Sequence, residues 1–94
     1  MGTLALPGSE LIERGLQELA LGEETEAALL VLIGAPRLRR LGVDVPRLSV
    51  LAEKTPELRL YERLAASDPD SAHSRYNALL RRLVSFERAL ACVS

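Results

Sequence analysis

The residue types that carry chemistry are scarce in this chain and poorly spaced for it. There is one histidine, His73, and one cysteine, Cys92. Along one continuous helix they would stand about 28 Å apart, at about 1.5 Å of rise per residue. They therefore cannot close on one metal ion, and a zinc site asks for three or four ligands in a shell. Asp68 and Asp70 lie just before His73. That group reads as the start of a helix with a solvated histidine beside it.

Nucleophilic catalysis finds no better support. Ser71 and Ser74 are near His73 in sequence, but Ser74 is its immediate neighbour, and adjacent residues on a helix point apart. The chain has no Gly-x-Ser-x-Gly elbow, phosphate-binding loop or dinucleotide fingerprint. Cys92 falls near a helix C-terminus, where the carbonyl dipoles oppose a thiolate. The many carboxylates of residues 18–26 are those of a solvated helix start. No catalytic residue, no cofactor and no metal site is expected, and the chain is read as non-enzymatic.

Binding chemistry is better represented. Arg37, Arg39, Arg40 and Arg47 form one basic cluster, and Arg75, Arg81, Arg82 and Arg88 form a second. Both could grip phosphates, which makes a nucleic-acid-associated regulator the alternative reading. Gly34-Ala35-Pro36 even has the look of a helix-turn-helix corner. Against it, the segment after Pro36 is short and lacks the Asn and Gln that read base edges. The net charge of −1 also supplies no field toward a polyanion. Charge is segregated instead: residues 1–30 carry six Glu against one Arg, and residues 71–94 carry four Arg against one Glu. Such blocks suit helices that pair with one another or with a protein partner. The segment from His73 to Asn77 is the densest in hydrogen-bonding types. With Arg37 and Arg40, its His73, Arg75 and Asn77 form a candidate polar or anion site. A small ligand-binding domain or enzyme around His73 and Tyr76 is the second alternative.

The elements that must position these residues all read as helices. Residues 1–8 form an N-terminal tail, and Ser9 is placed as the N-cap of a helix over about 9–21, with Glu10 in its first turn. Gly22 stops it. A second helix over about 23–33 is apolar on every side from Ala27 to Ile33, so it should be the buried centre. Gly34, Ala35 and Pro36 break it, and Pro36 opens a short helix over 36–41. Residues 47–54 read as a further short helical piece. Thr55-Pro56-Glu57 joins an N-cap, a first-turn proline and an acid, and starts a helix over 56–66. Asp68-Pro69-Asp70 repeats the signal and opens the longest helix, over 69–92.

That last helix carries the clearest pattern. Ala72, Tyr76, Leu79, Leu83, Phe86, Leu90 and Val93 are spaced alternately four and three apart, a heptad seam flanked by Leu80 and Val84. The same period arises where helices pack inside one bundle and where two chains meet. Tyr76, Leu79, Leu80, Leu83, Val84, Phe86 and Leu90 are accordingly the candidate interface.

The whole chain of 94 residues is expected to be one domain: an all-α, compact bundle of four to five helices with a long C-terminal helix. It is 48% hydrophobic, with 20 leucines, which is much apolar mass for so small a domain. The leading expectation is a protein-protein interaction module that self-associates through helical surfaces as a homodimer. A lone cysteine excludes an internal disulfide and suits a reducing cytoplasm. Met1 to Pro7 does not read as a secretory signal. The longest apolar run, Ala27 to Ile33, is far short of the ~20 residues that span a bilayer, so no membrane partner is expected.

Overall fold

The computed structural model describes residues 6–46 and 55–93. The tail before Leu6, the helical piece expected at 47–54 and Arg47 of the first basic cluster lie outside the described residues. The described chain is all helical: α1 is Ser9–Ala20, α2 Glu26–Arg40, α3 Pro56–Ser67 and α4 Ala72–Val93. There are four helices among the described residues, and α4 is the long one.

Helix α2 is the centre, packing on α1, α3 and α4. Ala28, Leu29, Leu30 and Val31 are fully buried, as is Leu38 in its last turn. Each such large side chain contributes about 1.5–3 kcal/mol of apolar transfer. The break expected at Gly34-Ala35-Pro36 does not occur; the segments read as 23–33 and 36–41 are one helix. Pro36 sits in its interior and is exposed, leaving the Leu32 carbonyl without its usual donor. Burial of Gly34, Ala35 and Leu38 on either side of Pro36 outweighs that local loss. Gly34 serves packing instead of a turn: a Cβ there would lie 2.7 Å from Cδ1 of Leu83 on α4. Gly15 does the same for α1 on α2, since its Cβ would meet the Ala27 carbonyl oxygen at 2.4 Å.

The helix ends follow local chemistry, with some shifts from expectation. Ser9 is not the cap of α1. It is nearly buried inside the helix, and Gly8 takes the cap position at φ 78° with its backbone close to the Arg82 carbonyl of α4. Gly22 stops α1 as expected. Its own N–H donates to Leu19 and that of Glu23 to Glu18, the paired bonds of a left-handed glycine terminus. Gly42 ends α2 in the same way, with Val43 donating to the Leu38 carbonyl. Helix α2 starts three residues later than expected because Thr25 caps it, its Oγ1 accepting from the Ala28 N–H at 3.1 Å. Thr55 caps α3 as expected, accepting from Leu58 at 3.3 Å, with Pro56 in the first turn. Asp68-Pro69-Asp70 forms a turn, and α4 begins at Ala72, not at 69. Within the turn the Ser71 hydroxyl donates to Asp68 at 2.7 Å, which holds the Asp68 carboxyl below its usual range.

Candidate interaction surface

The heptad seam faces inward from Ala72 to Leu90, and only its last residue, Val93, is exposed. Leu83 and Phe86 are buried in the common core, while Tyr76, Leu79 and Leu90 pack against it half-buried. Of the seven residues expected at an interface, Leu83 and Phe86 are therefore already covered by this chain's own helices. The seven-residue period records intramolecular packing of α4 on α2 and α3. Of the residues expected at an interface, those left at the surface are the flank of the seam. Leu80 is half-buried at its edge, and Val84, one turn on, is 39% exposed.

Leu80 and Val84 line an open groove of about 450 Å³ on α4, together with Asn77, Arg81, Ser85 and Arg88. Helical spacing sets this arrangement: Leu80 and Val84 form one i,i+4 row, and Asn77, Arg81 and Ser85 form the next. Arg81 and Arg88 are one heptad apart and both exposed, and neither has an ion pair among the described residues. The surface is thus a short apolar strip beside two guanidinium groups that lack an ion pair among the described residues. At the upper end of the helix Tyr76 meets Tyr61 of α3 edge to face, with ring centroids 5.6 Å apart. Burial, and then the nearby charge of Glu57, raise the Tyr76 hydroxyl above its ordinary pKa.

The other arginines are occupied or scattered. Arg37 approaches buried Glu87 at 4.0 Å, and Arg39 donates to the carbonyls of Val45 and Pro46, holding the turn after α2. Arg75 donates to Ser67 at 3.1 Å and to the Glu26 carboxylate at 3.4 Å. The candidate polar site is divided accordingly. His73 and Asn77 share a hydrogen bond of 3.2 Å on the exposed side of α4, Arg75 faces α2 and α3, and Arg37 and Arg40 stand on α2. Only Asn77 of the five lines the α4 groove. Among the described residues no three His, Cys, Asp or Glu side chains are grouped to hold a metal ion. Cys92 is exposed near the end of α4. No helix among the described residues is long and apolar enough to cross a membrane.

Two features escaped the sequence reading. Glu87 is 5% exposed, and desolvation raises its pKa while the charge of Arg37 opposes the rise. Its oxygen lies beside Gly34 at the crossing of α2 and α4. Its place four residues after Leu83, on the seam side, was the available signal. The second is a narrower cleft of about 200 Å³ between α1, α2 and α3, floored by Leu19, Ala28 and Leu32 with the Glu24–Arg59 ion pair at its rim. That pair joins residues distant in sequence, so nothing local announced it. Comparisons with protein families, with characterised proteins and with solved structures give no match to this chain.

Proposed function

We propose that this chain is a non-enzymatic interaction module, working in a reducing compartment such as the cytoplasm, that binds another polypeptide through the outer face of α4. One observation carries the reading: the strip of half-buried Leu80 and exposed Val84 borders an open groove beside Arg81 and Arg88, which have no acidic partner among the described residues. An apolar strip rimmed by charge is the usual composition of a helical docking surface. A homodimer, suggested by the heptad spacing, would not pair through Leu83 and Phe86, which are spent on the core. The nucleic-acid reading has less support, since Arg37, Arg39 and Arg75 are engaged within the chain.

The test is site-specific photo-crosslinking in native lysate. A photoreactive residue at Val84 should give a discrete polypeptide adduct, whereas one at Glu13, on the exposed side of α1, should not. Adducts with nucleic acid alone, equal labelling at both positions, or no adduct at Val84 would each overturn the proposal.

A further inference from the structure

The chemistry of this face also points to its occupant, an inference that rests on the reading of α4 as a contact surface. We infer that the outer face of α4 receives an amphipathic helix of another protein, whose apolar stripe covers Leu80 and Val84 and whose carboxylates meet Arg81 and Arg88. Three features of the face select that partner. The groove runs from Asn77 to Arg88, three turns of α4 and about 17 Å at 1.5 Å per residue, which matches a helix laid alongside better than a point contact. Leu80 and Val84 are one turn apart, the spacing at which side chains of a facing helix interdigitate. Arg81 and Arg88 are one heptad apart, so acids repeating every seven residues on the partner reach both at once, as flanking charges do in paired helices. Forked guanidinium groups meet carboxylates in bidentate geometry, and neither arginine has such a partner among the described residues.

A second copy of the chain fits this face poorly through its own α4 or α1. A two-fold contact presents the same patch from both sides. An antiparallel pairing centred between Val84 and Ser85 would set Arg81 of each copy against Arg88 of the other, like charge on like. Helix α1 of a second copy is acidic, with Glu10, Glu13 and Glu18, but its Ile12 and Leu19 are buried, so it has no apolar stripe to offer.

The probes are synthetic 22-residue alanine-rich peptides, long enough to populate a helix in water, since isolated helices below ~12–15 residues are marginal. The first carries a leucine stripe with Glu seven residues apart, the second has Lys in place of Glu, and the third has the composition of the first scrambled. Fluorescence anisotropy with the full chain at low salt should show the first binding at least about tenfold more tightly than the other two, with the gap narrowing at 0.5 M salt as exposed charges are screened. Arg81→Glu with Arg88→Glu should reverse the preference toward the Lys peptide, and Val84→Asp should weaken both. Far-UV circular dichroism of each variant should match that of the parent, since the changed positions are exposed.

Equal binding of the Glu and Lys peptides, no binding of either, equal binding of the scrambled peptide, or an unreversed preference in the charge-swapped protein would overturn the inference. So would tighter binding of a 20-base-pair DNA duplex than of the Glu peptide at 0.15 M salt. These failures are separable from failure of the broader reading. A polypeptide adduct at Val84 without the peptide preference removes the acidic helix alone. Absence of that adduct removes the contact surface itself.

Discussion

Gly15 offers the sharpest test of how this bundle is held. It lies in the middle of α1, where exchange of glycine for alanine ordinarily stabilises a helix by about 0.5–1 kcal/mol through backbone entropy. Here the added methyl would stand 2.4 Å from the Ala27 carbonyl oxygen and 2.5 Å from Cγ2 of Val31. Ordinary contact needs about 3.4 Å, so α1 and α2 must part by roughly 1 Å, a gap that forfeits a quarter to a half of each dispersion well. The contact that opens holds Ile12 and Leu19 against Ala28 and Val31, all essentially inaccessible to water. Overpacking of this kind costs about 1–3 kcal/mol, and backbone cannot rotate aside as a side chain can. Because the clash is with backbone, the cost falls at the upper end of that range, about 2–3 kcal/mol, and after about 1 kcal/mol of helical gain is subtracted Gly15→Ala should still lose about 1–2 kcal/mol. For a domain of this size that lowers the melting temperature by roughly 4–15 °C.

Gly34→Ala is the matched control. Its methyl would meet the tips of Leu83 and Glu87, at 2.7 and 3.1 Å, which can shift by small torsional changes. The gain and the cost then nearly cancel, and the variant should fall within about 1 kcal/mol of the parent. Thermal unfolding by circular dichroism and urea titration of the three proteins would decide the matter. A Gly15→Ala protein as stable as the parent, or more stable than Gly34→Ala, would refute the claim that backbone contact at Gly15 sets the α1–α2 distance.

Three further outcomes follow from the same contacts. Thr25→Ala removes the α2 cap and the hydroxyl donated to Glu18, and should cost about 1 kcal/mol in urea titration, a loss Thr25→Ser should largely restore. Pro36→Ala gives the Leu32 carbonyl a donor within α2 at an exposed position, and should raise stability by about 1 kcal/mol, with more helical signal at 222 nm. Glu87→Gln keeps the shape of a buried acid and removes its charge, so it should stabilise the chain at pH 7 by up to about 1 kcal/mol. Because desolvation raises the folded pKa of Glu87, its native state takes up a proton before its unfolded state does as pH falls. The advantage of Glu87→Gln should therefore shrink as pH falls through the raised pKa and level off once the unfolded chain is protonated as well, as urea titrations at falling pH would show. An advantage that does not change with pH would contradict the sign.

The sequence by itself determined much of the local structure. Thr55-Pro56 and Gly22 act through hydrogen bonds within a few residues, and the apolar run from Ala27 to Ile33 could only be central. It also held the arginines and the Leu80–Val84 flank, without saying which arginines were free. Tertiary structure decided what depended on partners far along the chain. Gly34 and Pro36 look like punctuation, yet contact with Leu83 and burial of Ala35 and Leu38 carry α2 through them. The heptad spacing of α4 was legible as a period, but a period does not name the surface opposite, and the core of this same chain took it. Arg75 found Glu26, Arg59 found Glu24 and Arg37 found Glu87 only once the helices had packed. Those pairings leave Arg81 and Arg88 without an ion pair among the described residues, because electrostatic neutralisation depends on distance in space, which sequence position does not supply.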